Sequence, residues 1–267
     1  MDLVNPTNYT SKTDNYIKIL GTKVNLLSMT QVMQEITLWC QGQDKHYICT
    51  ADAYMLNLAF EDKKLQDILN NADIVTPDSS GVMLAAKICK TPIKYKVSGC
   101  ELAEQLCKVS ADNNLRIFFL GAKDGVALEA AKQMKAKYKK MNVAGYHHGY
   151  FTEEETPQII DLINNSGANV LFVAFGIPKQ EIWISENIDK LNVNVAIGIG
   201  GTFDVMSGNL QRAPKFYQQT NLEWLYRYFQ DPKKSYKLKL LPKFILNVMK
   251  YKDGSNKTEN RKQKADK

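Results

Sequence analysis

Four stretches of the chain end in side chains able to bind or transfer a chemical group. The first is Asn169 to Glu181 (NVLFVAFGIPKQE), where an apolar run breaks at Gly176 and Pro178 and gives way to Lys179, Gln180 and Glu181. An ordinary strand-to-helix turn with solvated polar residues explains that stretch as well as a ligand site does. The second is Pro77-Asp78, after Asp73-Ile-Val-Thr76. A carboxylate there can take the proton of an attacking hydroxyl, and a pKa of about 4 keeps it ionised at neutral pH. Asp78 also suits the N-cap of a following helix, and on chemistry alone the cap is the better reading. The third is Gly198-Ile-Gly200-Gly201-Thr-Phe-Asp204, a glycine turn whose N–H groups can approach a phosphate or ribose closely. It does not complete G-x-G-x-x-G, and Asp204 equally caps a turn. Thr50, ending His46-Tyr-Ile-Cys-Thr50, is the fourth.

The elements around these stretches bring them together. Val170 to Phe175 is a continuous β-branched and aromatic run, the pattern of a central strand buried on both faces. Further strands are expected at His46–Thr50, Asp73–Thr76, Arg116–Gly121, near Val143 and at Val193–Gly198, after a small hairpin from Tyr16 to Leu27. Helices are expected from Ser28 to about Cys40, from near Asp52, and over Lys63–Asn71, Val82–Cys89, Glu101–Ser110, Asp124–Lys139 and Pro178–Leu191. Thr152-Glu-Glu-Glu155 reads as a capping box opening a helix to about Asn165. Strands alternating with helices at this spacing predict an α/β fold, a Rossmann-like doubly wound parallel sheet. In such sheets ligands bind beyond the carboxyl ends of the strands, where Thr50, Asp78 and Gly176–Gln180 fall. The chain divides into a loose N-terminus (1–14), a Rossmann-like body (15–211), a basic helical appendage (212–250) and a basic tail (251–267).

With 267 residues, 44% hydrophobic and 24% charged, the chain can bury one large core plus an appendage. No run approaches a membrane span and no signal-peptide pattern opens it, so a cytoplasmic protein is expected. Five cysteines without metal-ligand spacing read as buried free thiols, and three histidines make a histidine-based metal site unexpected. Charge is unevenly distributed. Residues 212–267 hold 15 basic and 5 acidic side chains, a net of +10, which leaves 20 basic and 23 acidic, −3, for the body. Such an arm suits phosphates, nucleic acid or an anionic membrane surface, or simply solubilises the chain. Within it Lys234 and Lys237 share a helical face, and Leu241, Phe244, Ile245 and Val248 form an apolar stripe. That stripe meets either a membrane surface or the body. Interleaved Trp224, Tyr226, Tyr228 and Tyr236 could stack bases, but the body has no nucleic-acid-binding motif, so no nucleic-acid partner is expected.

From Ile17 to Lys250 the motifs together resemble the WecG/TagA/CpsF family of bacterial glycosyltransferases, glycosyltransferase family twenty-six. They are Thr50-Ala-Asp52-Ala, Ala72-Asp73-Ile-Val-Thr-Pro77-Asp78, Tyr150-Phe151 beside Gly149, Phe172 to Glu181, Gly198 to Asp204, Gln211-Arg212-Ala-Pro214 and Leu222-Glu-Trp-Leu-Tyr-Arg227. The resemblance implies transfer of an N-acetylmannosamine-type sugar from a UDP-sugar donor to a polyprenyl-diphosphate-linked acceptor, with inversion, in cell-envelope, teichoic-acid or exopolysaccharide synthesis. It implies no cofactor and no metal, UDP-sugar being a substrate, and a C-terminal appendage that helps close the site. It puts Asp78 at the general-base position, which outweighs the cap reading. Thr50 and Gln180 fall at positions contacting the donor or the reacting groups, and Arg227 at a diphosphate-binding position. Lys234 and Lys237 stand where arginines are frequent, which keeps the charge and loses the bidentate fork. Asp52, Lys96, Lys179, Gly200, Gly201 and Asp204 complete the expected substrate-binding set.

Three departures bear on this. Lys96 stands for an arginine, Asp52 for an asparagine and Ser79 for a glycine. Expected partners are the donor, the lipid-linked acceptor and an anionic membrane surface, with the protein peripheral on the inner face of the plasma membrane. The oligomeric state stays open, a homo-oligomer included. Three rival readings remain. One is a UDP-glucose- or UDP-uronic-acid-type transferase of the same family; another is a non-catalytic membrane or partner-binding homologue. A nucleotide-cofactor oxidoreductase is the third, and the incomplete glycine fingerprint argues against it.

Overall fold

The computed structural model describes residues 13–211, 213, 214, 217, 226 and 240–251. A hairpin comes first, β1 (Tyr16–Ile19) and β2 (Thr22–Asn25). Its two turn residues both lie at positive φ, Leu20 at 53° and Gly21 at 83°, the backbone that matches the twist of a two-residue hairpin. There follow α1 (Met29–Trp39), β3 (His46–Ala51), α2 (Ala53–Glu61), α3 (Lys63–Asn71), β4 (Ile74–Pro77), α4 (Ser80–Ile88) and α5 (Gly99–Val109). Then come β5 (Arg116–Gly121), α6 (Val126–Lys137), β6 (Asn142–His147), α7 (Thr156–Asn165), β7 (Val170–Ala174), α8 (Lys179–Asn187), β8 (Val195–Gly198) and α9 (Thr202–Met206). Residues 241–251 form α10.

Six strands make one parallel sheet in the order β4-β3-β8-β7-β5-β6. All five residues of β7 are buried, which is why its sequence is apolar without alternation. Each face of the sheet carries its own core. Phe118 and Leu120 of β5 pack with α2, α3, α4, α7 and α8 on one side, while Ile117 and Phe119 pack with α1, α5, α6 and α9 on the other. The period-2 alternation thus feeds two helical layers from one strand. Phe119 centres the second layer, 5.5 Å from the Phe172 ring and 5.3 Å from the Phe203 ring. Each such fully buried side chain contributes about 1.5–3 kcal/mol.

The hairpin seals the outer edge of β4. Val75 N–H donates to Asn25 Oδ1 at 2.7 Å, and Lys23 N–H to Asn70 Oδ1 at 2.8 Å. Gln66 Nε2 donates back to Leu20 O at 2.9 Å.

One local expectation changes and one open alternative is settled. The helix expected from Thr152 begins at Thr156. Glu155 Oε2 does accept from Thr152 N–H at 2.7 Å, so half of the capping box forms, but residues 153–155 make a turn. Pro157 in the first helical turn sets the start where its missing N–H costs nothing. The apolar stripe of α10 faces the body, and a membrane-facing stripe is thereby ruled out. Phe244 and Val248 are each 1% exposed in the core under α2 and α4, with Leu241 and Ile245 packed beside them. Asn247 Nδ2 donates to Asn57 Oδ1 at 3.0 Å and Lys243 pairs with Glu61 at 2.6 Å, both partners on α2. Leu241 reaches α4, within 3.1 Å of where a Cβ on Gly81 would stand. Apolar stripes of that width are buried wherever a complementary surface lies in reach. The expected roles of Arg227, Lys234 and Lys237 lie outside the described residues.

Candidate active site

The carboxyl ends of β4, β3, β8 and β7 are consecutive neighbours, so their four loops share one edge. Thr50 pairs in register with Thr76 and Ala51 with Pro77. Asp78 N–H extends that ladder by donating to Ala51 O at 3.0 Å, which sets Asp78 beside the start of the Asp52 turn. Val97 N–H donates to Pro77 O at 3.0 Å and brings Lys96 to the same place. The backbones of Asp52, Asp78 and Lys96 thus meet from three separate segments.

Capping is divided in a way that bears on Asp78. Asp52 caps α2 by accepting Met55 N–H at 2.8 Å. Helix α4 is capped by Ser79, whose Oγ accepts Val82 N–H at 3.4 Å and Ala53 N–H at 3.2 Å. The cap reading of Asp78 therefore fails, because its neighbour does that work. Glycine at position 79 could not, so this departure from the family pattern supplies a side chain to the loop without displacing the aspartate.

Thr50 is 4% exposed, and its Oγ1 donates to Gly198 O at 2.7 Å. A Cβ on Gly99, the first residue of α5, would stand 2.8 Å from that hydroxyl. Thr50 therefore ties β3 to β8 directly under the opening of α5. Gln180 is also buried, 1% exposed. Its Oε1 accepts Gly200 N–H at 2.9 Å and its Nε2 donates to Glu181 Oε1 at 2.7 Å. The Gly200 amide is thus turned inward to Gln180 and not outward to a ligand. Gly200 has φ +56°, and exposed Gly201 begins α9 with Asp204 in its first turn. Lys179 is exposed at the start of α8. Thr50, Asp52, Asp78, Lys96, Lys179, Gln180, Gly200, Gly201 and Asp204 thus all lie in, or within one turn of, the loops at this edge.

Residues outside the expected set join them. Glu181 is 0% exposed, which excludes for it the solvated-turn reading that the sequence left open. Burial, followed by the Glu181 charge, pushes the thiol of Cys49 on β3 well up, with Lys23 pulling it back. That thiol is a neutral packing group, not a nucleophile. Phe151, Phe175 and Trp183 form an edge-to-face aromatic cluster, with ring centroids 5.6–6.4 Å apart, beyond β7. Gly149 lets the preceding loop lie close: its N–H donates to Ala122 O at 2.9 Å, and a Cβ there would be 2.8 Å from Phe175. Tyr150 then stands 71% exposed. The Tyr150-Phe151 motif was visible in the sequence, but nothing local assigned it chemistry.

The profile of the WecG/TagA/CpsF family of glycosyl transferases matches residues 17–258. The chain belongs to this family. Similar proteins include an N-acetylglucosaminyldiphosphoundecaprenol N-acetyl-beta-D-mannosaminyltransferase of Bacillus spizizenii, 32% identical over 79% of this chain and 81% of the relative. A Staphylococcus aureus (strain MW2) protein of the same name is 30% identical over 88% of this chain and 93% of the relative. The transferase has a concavity of about 690 Å³ at the opposite end of its strands, among Gln41, Asn113, Arg116 and Asn194. No expected site residue lines it, and its loops are those at the amino ends of the strands, whereas ligands of such sheets bind beyond the carboxyl ends. Among the described residues of the transferase, no three His, Cys, Asp or Glu side chains are grouped as metal ligands, and no helix is long and apolar enough to cross a membrane.

Proposed function

We propose that this glycosyltransferase moves N-acetylmannosamine from its UDP-linked form to N-acetylglucosamine carried on a polyprenyl diphosphate. The acceptor hydroxyl oxygen attacks the anomeric carbon in line. The bond from that carbon to the UDP oxygen breaks, its electron pair leaves with UDP, and the hydroxyl proton passes to the Asp78 carboxylate. One displacement inverts the anomeric centre. Lys96 and the arm residues Arg227, Lys234 and Lys237 offset charge on the UDP leaving group and the lipid diphosphate, in place of a metal. Tyr150 offers an exposed ring for the uracil to stack on, with Asp204 near enough to the glycine turn to meet the ribose. Since the acceptor is a lipid, the protein works peripherally at the inner face of the plasma membrane, with the basic arm toward anionic lipid.

The observation supporting this reading best is that Asp78 stands at the carboxyl edge with the cap taken by Ser79, in a chain 30–32% identical to the mannosaminyltransferases. The test is product mass from a panel of UDP-sugars and a short-chain N-acetylglucosaminyl diphospholipid. A mass gain of one N-acetylhexosamine with UDP-N-acetylmannosamine, and none with UDP-glucose or UDP-uronic acids, is expected. Transfer from one of those sugars instead refutes the donor assignment.

A further inference from the structure

We infer that Glu181 is a positioning residue for sugar transfer: its buried carboxylate fixes the Gln180 amide and, through it, the Gly200 turn bordering the donor. This rests on reading the carboxyl edge as the UDP-sugar site. Gly200 N–H can only donate, so the oxygen of the Gln180 amide must face it, at 2.9 Å. The NH₂ end is then directed at Glu181, whose Oε1 accepts at 2.7 Å. Turning the amide over would set NH₂ against N–H at one end and oxygen against carboxylate at the other. Both side chains are buried, 1% and 0% exposed, so solvent is not at hand to replace either bond.

The surrounding backbone is shaped around this pair. A Cβ on Gly198 would stand 2.8 Å from Gln180 Nε2 and 3.0 Å from Glu181 Oε1, so only glycine at the end of β8 leaves room for both. Gly200, in the left-handed region at φ +56°, reverses the chain immediately beyond. With its N–H tied inward, the turn presents Gly201 to solvent and starts α9, the helix that carries Asp204. Removing the acceptor at 181 lets the amide rotate and detaches the turn. The loss then falls on donor binding, because Asp78 is held by β3 and β4 and not by this chain of bonds.

The experiment uses the full-length protein, measuring UDP affinity by calorimetry together with donor KM and kcat. Glu181→Leu should weaken UDP binding and raise KM for the donor by about 10²-fold, as a misplacement near 1 Å does, with kcat moving less. Glu181→Gln retains an accepting oxygen and should recover most of the loss. The Gln180→Ala/Glu181→Leu double variant should lose no more than Gln180→Ala alone, because Glu181 acts through Gln180. Wild-type KM and UDP affinity in Glu181→Leu, or additive losses in the double variant, overturn the inference. Should Glu181→Leu not fold, Gly198→Ala carries the test by intruding on the same two atoms: raised KM is expected, and unchanged KM overturns it. Wild-type protein that neither binds UDP nor transfers sugar overturns the functional reading itself. Active wild type with unaffected variants overturns only the role of Glu181.

Discussion

Exchanging Asp78 and Ser79 separately should split activity from stability, because the two side chains share a loop but not a task. Asp78→Asn keeps the shape and removes the proton acceptor. Loss of a general base lowers kcat by about 10²–10⁴-fold, equivalent to about 3–5 kcal/mol of barrier. Helix α4 keeps its Ser79 cap in that variant and the half-buried side chain keeps its shape, so the melting temperature should change by no more than about 2 °C. Ser79→Ala does the reverse. Its Oγ accepts from both Val82 and Ala53, so Ala53 N–H loses its partner and Val82 N–H is left with Ser79 O alone, and the cost should be about 1–2 kcal/mol. In a domain of this size that is about 2–8 °C. Steady-state kinetics and thermal melts on the same preparations decide it. If Asp78→Asn melts early and keeps its specific turnover, the carboxylate is structural and the catalytic assignment is wrong.

Further expectations concern the leaving group, the C-terminal helix, the arm and alkaline pH. Transfer should survive EDTA; complete loss on chelation, restored by magnesium or manganese, would show that a metal and not protein cations balances the diphosphate. Phe244→Ala should cost about 3–5 kcal/mol, and limited proteolysis should then release α10, since that side chain fills the core under α2 and α4. Arg227→Ala should cut transfer while barely changing retention on anionic vesicles, where one charge among many contributes about 1 kcal/mol; equal losses in both would deny it a specific diphosphate contact. Burial pushes the Cys40 thiol up to about 12 and raises Cys107 and Tyr47 as well. The folded protein therefore holds these protons more tightly than the unfolded chain. The contribution of these groups to urea midpoints should be constant from neutral pH to about pH 9, the ordinary thiol range, and be lost as pH rises through the folded values.

Much of this was legible in the sequence because strong local signals coincide with the tertiary demand. Residues 170–174 read as a central strand and are one, since a strand buried on both faces needs no alternation. Ser28 with Gln31 forms the capping box that opens α1, and Asp52 caps α2 where its position implied. What stayed hidden depends on partners distant in the chain. Whether the stripe of Leu241, Phe244, Ile245 and Val248 met lipid or protein turned on a groove between α2 and α4, nearly 200 residues earlier in sequence, as the Asn247–Asn57 bond shows by its separation of 190. Glu181 looked solvated because nothing local reveals that Gly198 vacates space for it. The identity of the α4 cap could not be read either, because Asp78 and Ser79 are both good caps and only the ladder bond from Asp78 to Ala51 fixes which of them turns to the helix.

The hairpin at the margin of β4 has a consequence for handling the protein. A strand of four fully buried residues, Ile74 to Pro77, is an adhesive template once its outer N–H and C=O groups are bared. Here the Asn25 amide oxygen occupies Val75 N–H, where the backbone carbonyl of a second molecule would otherwise dock. Loosening that one side chain, for example by Asn25→Val, exposes the strip while leaving the helices and the Asp78 loop in place. Damage there would first appear as turbidity and falling yield at high protein concentration, in a sample whose surviving soluble fraction still turns over normally.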